Sequence, residues 1–267
     1  MLKQVGPLLI AMTWLGTAHA ASLRACIPDY PSAPFSSPNG EAAGQHLVAL
    51  AVQRQGDAVQ FTAAPWARCL AGMRSGDYDL LIGAEPDDDV FAYIAFPQKA
   101  GKVDPSRRLG VVEYVLVQKV DAHPAWEGRA FKGASRPVVV PRDIYAVSRH
   151  FDVIGVALRS LNYDAGRFAA LLCRDRAEFI VLRRSDLAAA LSGCPTMPRA
   201  QLQAYPLAST DVYLGVRRAL LQSRPELGES IWRELARLRS SGAWPVLFKD
   251  LPPGPVDEES SASAPHH

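Results

Sequence analysis

Three acidic side chains stand where they could take part in chemistry. Asp29, Glu85 and Asp143 each lie two residues beyond the end of a stretch that is predicted to be a strand. Within a cleft, a carboxyl group at such a place can transfer a proton or bind a cation. The catalytic motifs Gly-x-Ser-x-Gly and His-Glu-x-x-His are absent from the sequence. The pattern therefore favours binding over catalysis, and we assign no catalytic residue.

Metal and nucleic-acid sites are not expected from the composition. The six histidines are dispersed, and no Cys-x-x-Cys pair occurs. The net charge is only +2, and the Lys and Arg residues are scattered rather than grouped into a basic patch. With 48% hydrophobic and 21% charged residues, the chain is typical of a globular protein. We predict no cofactor, no metal and no nucleic-acid partner.

The N-terminus is typical of an exported protein. Lys3 precedes an apolar run that is too short to cross a bilayer, and Ala18-His19-Ala20 matches a signal-peptidase site. We therefore predict a signal peptide at 1–20 and a periplasmic location, where cysteines form disulfides. The four cysteines allow three pairings, which these arguments leave open: Cys26, Cys69, Cys173 and Cys194.

A βαβ unit is predicted at 58–84. A strand at 58–62 leads into Pro65-Trp66, and the apolar residues that follow are spaced as on one face of a helix. Gly76-Asp77 ends that helix before a buried strand at 78–83. Such a unit requires a parallel sheet, and ligands bind beyond the carboxyl ends of its strands. Trp66 and Glu85 are therefore candidate ligand-binding residues.

The same stretch resembles the first lobe of the family 3 extracellular solute-binding proteins. The resemblance rests on Pro-Trp-x-Arg-Cys-Leu at 65–70, Gly-Asp-Tyr-Asp at 76–79 and a closing Pro-Glu-Leu helix from Pro225. It implies the type II periplasmic-binding-protein fold, with two α/β lobes joined by a two-crossing hinge. Lobe 1 would comprise 22–114 plus 208–251 and lobe 2 would comprise 115–207, followed by a Pro/Ser-rich, acidic tail at 252–267 that is expected to be disordered. This division favours one disulfide in each lobe, Cys26–Cys69 and Cys173–Cys194.

The resemblance also implies further ligand-binding residues. Tyr30 and Phe35 lie in a loop that lines the cleft in the family, although they could equally be aromatics that cover the core. The turn after the strand at 136–141 faces the ligand from the second lobe, which makes candidates of Arg142, Asp143 and Tyr145. Asp143 could instead only cap a helix. Arg183 follows the strand at 178–182 and would lie at the cleft or hinge, or cap the next helix at the surface.

One departure from the family concerns the ligand. The family usually carries an Arg after the strand at 78–83 that binds the ligand's α-carboxylate in a bidentate manner. Here Glu85 is followed by Pro86 and by Asp87-Asp88-Asp89, and the next Arg is Arg107. This raises the prospect of a cationic ligand or one without a carboxylate. The aspartates could equally form a solvated loop or a helix N-cap.

The resemblance implies a monomeric protein that captures a small polar solute, amino-acid-like or an amine, for an ABC importer or a membrane sensor. Two alternatives stay open. The first is a module of the same fold that has lost its ligand and binds other proteins. The second is an enzyme resembling cyclohexadienyl dehydratase, which shares the fold.

Overall fold

The computed structural model describes residues 22–119, 125–126, 131–132, 135–142, 147, 151, 156–192 and 202–241. Thirteen strands are present within these residues: β1 Ser22–Pro28, β2 Ala58–Ala64, β3 Leu80–Ala84, β4 Ile94–Ala95, β5 Gln98–Lys99, β6 Lys102–Val103, β7 Gly110–Lys119, β8 Ala125–Trp126, β9 Phe131–Lys132, β10 Val138–Pro141, β11 Leu158–Leu161, β12 Ile180–Arg183 and β13 Leu202–Arg217. The described helices are α1 Ala43–Gln53, α2 Trp66–Ser75, α3 Asp88–Phe91, α4 Ala165–Cys173, α5 Leu187–Ser192, α6 Arg218–Ser223 and α7 Pro225–Ser240.

Nine strands form one mixed sheet, in the order β11-β10-β12-β7-β13-β3-β1-β2, with β4 paired to β13. At one end, β1 is parallel to β2 and to β3, which confirms the predicted βαβ unit. At the other end, β10 is parallel to β11 and to β12. We call these ends the first half (β1–β4 and the last residues of β13) and the second half (β10–β12). The α/β fold class that the sequence predicted is therefore correct.

Two long antiparallel strands join the halves. Leu202–Val212 of β13 pair with β7, and the last residues of β13 pair with β3 and β4. The sequence pattern predicts two strands here, at 202–207 and 211–217, and the structure shows that this is wrong, because one strand covers both. A register shift between Pro206 and Ala208 absorbs the break in the pattern, so the ladder continues as one strand.

Each half has apolar cores on both faces of the sheet, as parallel strands require. In β3, Leu80 and Ile82 join one core and Leu81 joins the other. In β10, Val138 and Val140 alternate with Val139 in the same way. Burial on both faces is why these strands read as unbroken apolar runs.

Local signals set several boundaries as expected. Gly76 ends α2 in the left-handed conformation (φ 93°), and Pro65 lies at its N-cap, just before the helix. Asp164 caps α4, where its carboxylate accepts from the Arg167 N–H at 2.8 Å. The structure adds α6 and β11, which the sequence analysis did not predict.

A disulfide joins Cys26 in β1 to Cys69 in α2, with the Cα atoms 5.5 Å apart. Cys173 is also disulfide-bonded, and its predicted partner Cys194 lies outside the described residues. None of the described helices has both the length and the apolar character needed to span a membrane.

Candidate ligand-binding cleft

A cleft opens where the carboxyl ends of the parallel strands in the two halves meet. Its floor is apolar because buried side chains of the strands reach it. Its cavity volume is about 70 Å³. The polar and aromatic side chains that line it are Tyr30, Ser32, Phe35, Trp66, Glu85, Tyr114, Arg142, Tyr163 and Arg183.

Glu85 and Tyr114 form one polar pair in the cleft. Glu85 follows β3 and is half-buried, while Tyr114 belongs to β7 and is 3% exposed. The Tyr114 hydroxyl donates to Glu85 Oε1 at 3.2 Å. Burial, and then the negative charge of Glu85, raise the pKa of Tyr114 well above its usual range. The phenol therefore stays protonated and donates to the Glu85 carboxylate.

The backbone has an unusual conformation two residues before Glu85. Gly83 has φ +80°, a value that favours glycine, and it lines the cleft at the end of β3. Gly83 lies where the register between β3 and β13 shifts, and Ala84 after it still pairs with Tyr213. β3 ends at Ala84, and Glu85 follows it at the cleft.

Arg183, at the end of β12, reaches from the second half to the first. Its Nε donates to Asp186 Oδ2 at 2.8 Å, and one terminal nitrogen donates to the Pro31 carbonyl at 2.8 Å. The other terminal nitrogen donates to the Ser32 hydroxyl. Pro31 and Ser32 belong to the loop that follows β1, so one side chain contacts both sides of the cleft.

Two tyrosine rings enclose the same guanidinium. Its Cζ lies 4.6 Å from the ring centroid of Tyr163 and 5.3 Å from that of Tyr30, within the range of cation–π attraction. The Tyr163 hydroxyl donates to Asp186 Oδ2 at 2.6 Å and accepts from the Arg183 backbone N–H at 3.2 Å. Burial raises the pKa of both phenols. For Arg183, burial opposes the charge, but Asp186 and the tyrosines outweigh it and raise the pKa.

Trp66 and Phe35 contribute the predicted aromatic surfaces. Trp66, the first residue of α2, lines the cleft and packs partly buried on one core of the first half. Phe35 is 3% exposed and belongs to the other core of that half, while one part of it also lines the cleft. Phe35 thus packs in the core and borders the cleft at once, so the two readings of it from the sequence are compatible.

The turn after β10 is only partly described. Arg142 lines the cleft with an exposed side chain, and its backbone N–H donates to the Leu161 carbonyl at 2.7 Å. Asp143 and Tyr145, the other predicted residues of this turn, lie outside the described residues. Their roles stay predictions.

The acidic run after Glu85 is a helix cap. Asp87 is the N-cap of α3, where its carboxylate accepts from the Asp89 N–H at 3.1 Å, and Asp88 is exposed. None of the three aspartates lines the cleft. The N-cap interpretation is confirmed, and Glu85 is the acidic residue of this segment that borders the cleft.

Sequence reasoning missed four polar residues here: Ser32, Tyr114, Tyr163 and Asp186. Tyr114 lies within the largely apolar strand β7, and Tyr163 directly precedes the N-cap of α4. Neither position carries a signal for function. A serine within the proline-rich loop at 28–35 was the only available hint for Ser32.

No protein-family model and no curated protein sequence matches the chain. Several solved structures do match the chain. A mutant of ArgBP from T. maritima is 19% identical with a TM-score of 0.63, over 86% of this chain and 94% of that one. A histidine kinase sensor domain with similarity to periplasmic binding proteins is 18% identical, with a TM-score of 0.61 over 86% and 94%. The ancestral amino acid-binding protein AncCDT-1, a precursor of cyclohexadienyl dehydratase, is 16% identical, with a TM-score of 0.62 over 86% and 94%. The expected likeness thus holds for the architecture: this chain has the two-lobed α/β fold of the periplasmic binding proteins.

Proposed function

We propose that this protein captures a small polar solute, amino-acid-like or an amine, in the cleft between its two lobes. The observation that carries the proposal is the cleft itself, which has an apolar floor, aromatic walls and charged groups supplied from both sides. Glu85 comes from the first half, and Arg142 and Arg183 come from the second. Few, precisely placed polar groups over an apolar surface are typical of small-molecule sites.

Binding would be coupled to closure of the cleft. A solute that contacts both sides only when the halves approach each other shifts the equilibrium toward the closed state by that difference in affinity. Long antiparallel strands such as β7 and β13 are suited to act as the hinge. The division into lobes at 22–114 plus 208–251 and 115–207 is part of this proposal.

The charges favour a solute with an ammonium group. No Arg occurs between Glu85 and Arg107, and the guanidinium of Arg183 already donates to three protein acceptors. Glu85 brings a negative charge to the lining of the cleft. We propose that an ammonium group binds Glu85, with Trp66 and Tyr30 against the body of the solute. Arg142, and the undescribed Asp143 and Tyr145, would face it from the second half.

The neighbouring structures support solute binding in general and leave two settings for it. ArgBP and an ancestral protein bound to arginine are binding proteins, and one neighbour is a kinase sensor domain. We propose a monomeric periplasmic protein, exported by the segment at 1–20, that delivers its solute to an ABC importer or to a membrane sensor.

A thermal-shift screen of the oxidised protein tests this proposal. The panel would contain L-arginine, L-lysine, 4-aminobutyrate, putrescine, tyramine and succinate. A solute at about 100 times its Kd adds about 2.7 kcal/mol, or roughly 5–10 °C in Tm for a chain of this size. A shift with the ammonium compounds supports the proposal. A shift with succinate alone contradicts the ammonium assignment, and no shift with any compound contradicts solute binding.

An enzyme is the second candidate; one neighbour, itself an amino acid-binding protein, is named as a precursor of cyclohexadienyl dehydratase. Glu85 would then be the acid–base group, because it borders the cleft and contacts a protonated phenol. Turnover of prephenate or arogenate by the purified protein, lost in Glu85→Gln, would establish this activity. Absence of turnover leaves solute binding as the function.

A further inference from the structure

The guanidinium of Arg183 is bound as a ligand would be. The Arg183 residue is 6% exposed, and its side chain has partners from both halves. Two acceptors, the Pro31 carbonyl and the Ser32 hydroxyl, come from the loop after β1 in the first half. One counter-ion, Asp186, comes from the second half.

The aromatic partners are divided in the same way. Tyr30 belongs to the first-half loop, and Tyr163 follows β11 in the second half. Their ring centroids lie 5.5 Å apart and the planes meet at 55°. These five partners suit a guanidinium. The carboxylate, hydroxyl and carbonyl accept from its planar N–H fork, and the two rings lie against its flat faces. An ammonium group has no planar fork and no flat face, so it would use fewer of these contacts.

We propose that the cleft contains a built guanidinium-binding site and that the tethered side chain of Arg183 occupies it, which holds the two halves together without any solute. The inference rests on the Arg183 contacts and not on the proposed solute. It predicts that the free protein is closed, and that removing the side chain opens the protein and leaves a vacant site for a guanidinium ion.

The contacts of Arg183 favour the closed state of the cleft. In the closed protein the first half replaces water around the guanidinium with charge-assisted hydrogen bonds and a ring contact, and a hydrogen bond to a charged group is net stabilising when its partners are well placed. Opening the cleft would separate Arg183 from Pro31, Ser32 and Tyr30 while Asp186 and Tyr163 remain with it. The closed state is therefore favoured by the partners on the first half alone. A solute would use only the small remaining volume, or would displace the first-half contacts.

Small-angle scattering of the full chain without added ligand tests the closed state. We expect Arg183→Ala to have a larger radius of gyration than the wild type. Arg184→Ala is the matched control, because the neighbouring Arg184 is exposed and pairs with Glu113 of β7. If Arg183→Ala has the same radius of gyration as the wild type and Arg184→Ala, Arg183 does not hold the two halves together and the proposal is wrong. If Arg183→Ala does not fold, Arg183→Lys is used, since it keeps the charge and loses the planar fork.

Chemical rescue tests the site itself. Millimolar methylguanidinium chloride should raise the Tm of Arg183→Ala and restore the smaller radius, with no comparable effect on the wild type. Methylammonium chloride at the same concentration is the control for ionic strength and should rescue less. Equal effects of the two salts, or equal effects on variant and wild type, would contradict a guanidinium site. Neither result bears on the solute screen, so the two proposals fail independently.

Discussion

The guanidinium of Arg183 donates to the hydroxyl of Ser32, 151 residues away in the chain and on the opposite side of the cleft. The bond joins the end of β12 to the loop after β1. It is a charged hydrogen bond at a site where Arg183 is almost fully buried, so its loss should be measurable.

Ser32→Ala should therefore destabilise the solute-free protein by about 1.5–3 kcal/mol, the usual range for a hydrogen bond to a charged group. Urea unfolding followed by circular dichroism would measure the change. Ser37→Ala, in the same loop but with an exposed side-chain bond to Asn39, is the control and should change stability by less than about 0.5 kcal/mol. Equal losses of stability in the two variants would show that the hydrogen bond from Arg183 to Ser32 does not contribute to the free energy of unfolding.

Glu85→Gln should weaken binding of any ammonium solute at least tenfold, about 1.4 kcal/mol, because the amide is neutral and nearly isosteric. Calorimetric titration with the best compound of the thermal-shift screen would measure it. Asp88→Asn provides the control, since Asp88 is exposed on α3 and does not line the cleft. Unchanged affinity in Glu85→Gln would remove Glu85 from the site.

Gly83→Ala should cost about 1–2 kcal/mol through the backbone alone. The residue has φ +80°, and an added Cβ would meet no atom within 4 Å, so steric overlap is not the cause. Gly166→Ala, in α4 and without a positive φ, should be neutral or slightly stabilising. Denaturant unfolding of both variants separates strain from a general intolerance of glycine replacement.

Asp79 should make the protein sensitive to acid. Its carboxylate is buried, which alone would raise its pKa, but hydrogen bonds from Arg217 (2.8 Å) and the Arg24 N–H (3.0 Å) outweigh burial and lower it. Because the pKa of Asp79 is lower in the folded state than the value of about 3.9 expected in the unfolded state, the ionised carboxylate stabilises the protein above about pH 3.9. This stabilisation is lost as the pH falls through the folded-state pKa. Asp79→Asn should thus be less stable than the wild type at pH 7, and the difference should shrink below about pH 4.

Thermal unfolding from pH 3 to pH 7 would check this prediction. Asp77→Asn, an exposed neighbour, serves as the control and should parallel the wild-type curve. If the difference in Tm between the wild type and Asp79→Asn is the same at every pH, protonation of Asp79 does not affect the stability of the folded protein.

Replacing both Cys26 and Cys69 by Ala should reduce the unfolding free energy by about 4 kcal/mol in the chain-entropy model, because the disulfide spans 43 residues. Denaturant unfolding of the double variant against the oxidised wild type would measure it. A loss well below 1 kcal/mol would indicate that the unfolded chain is already compact around this segment.

The sequence by itself determined the βαβ unit, the ends of α2, the start of α4, and the position of Trp66 and Glu85 just beyond strands whose ends line the cleft. Each depends on neighbours a few residues apart: apolar periodicity, Gly76 after a helix, or Asp164 before one. The ends of helices and the order of neighbouring elements depend on interactions between residues close in the chain, so the local sequence pattern is enough to predict them.

Only the tertiary structure decided that β13 is one strand, that Tyr114 bonds Glu85, and that Arg183 lies between Tyr30 and Tyr163. The residues in these side-chain contacts lie 20 or more positions apart in the chain. They follow from the register of β7, β12 and β13, which brings the two halves together. An arginine at the end of a strand has the same local pattern whether it faces solvent, a solute or the opposite wall of a cleft, and only the packing of the two halves distinguishes these cases.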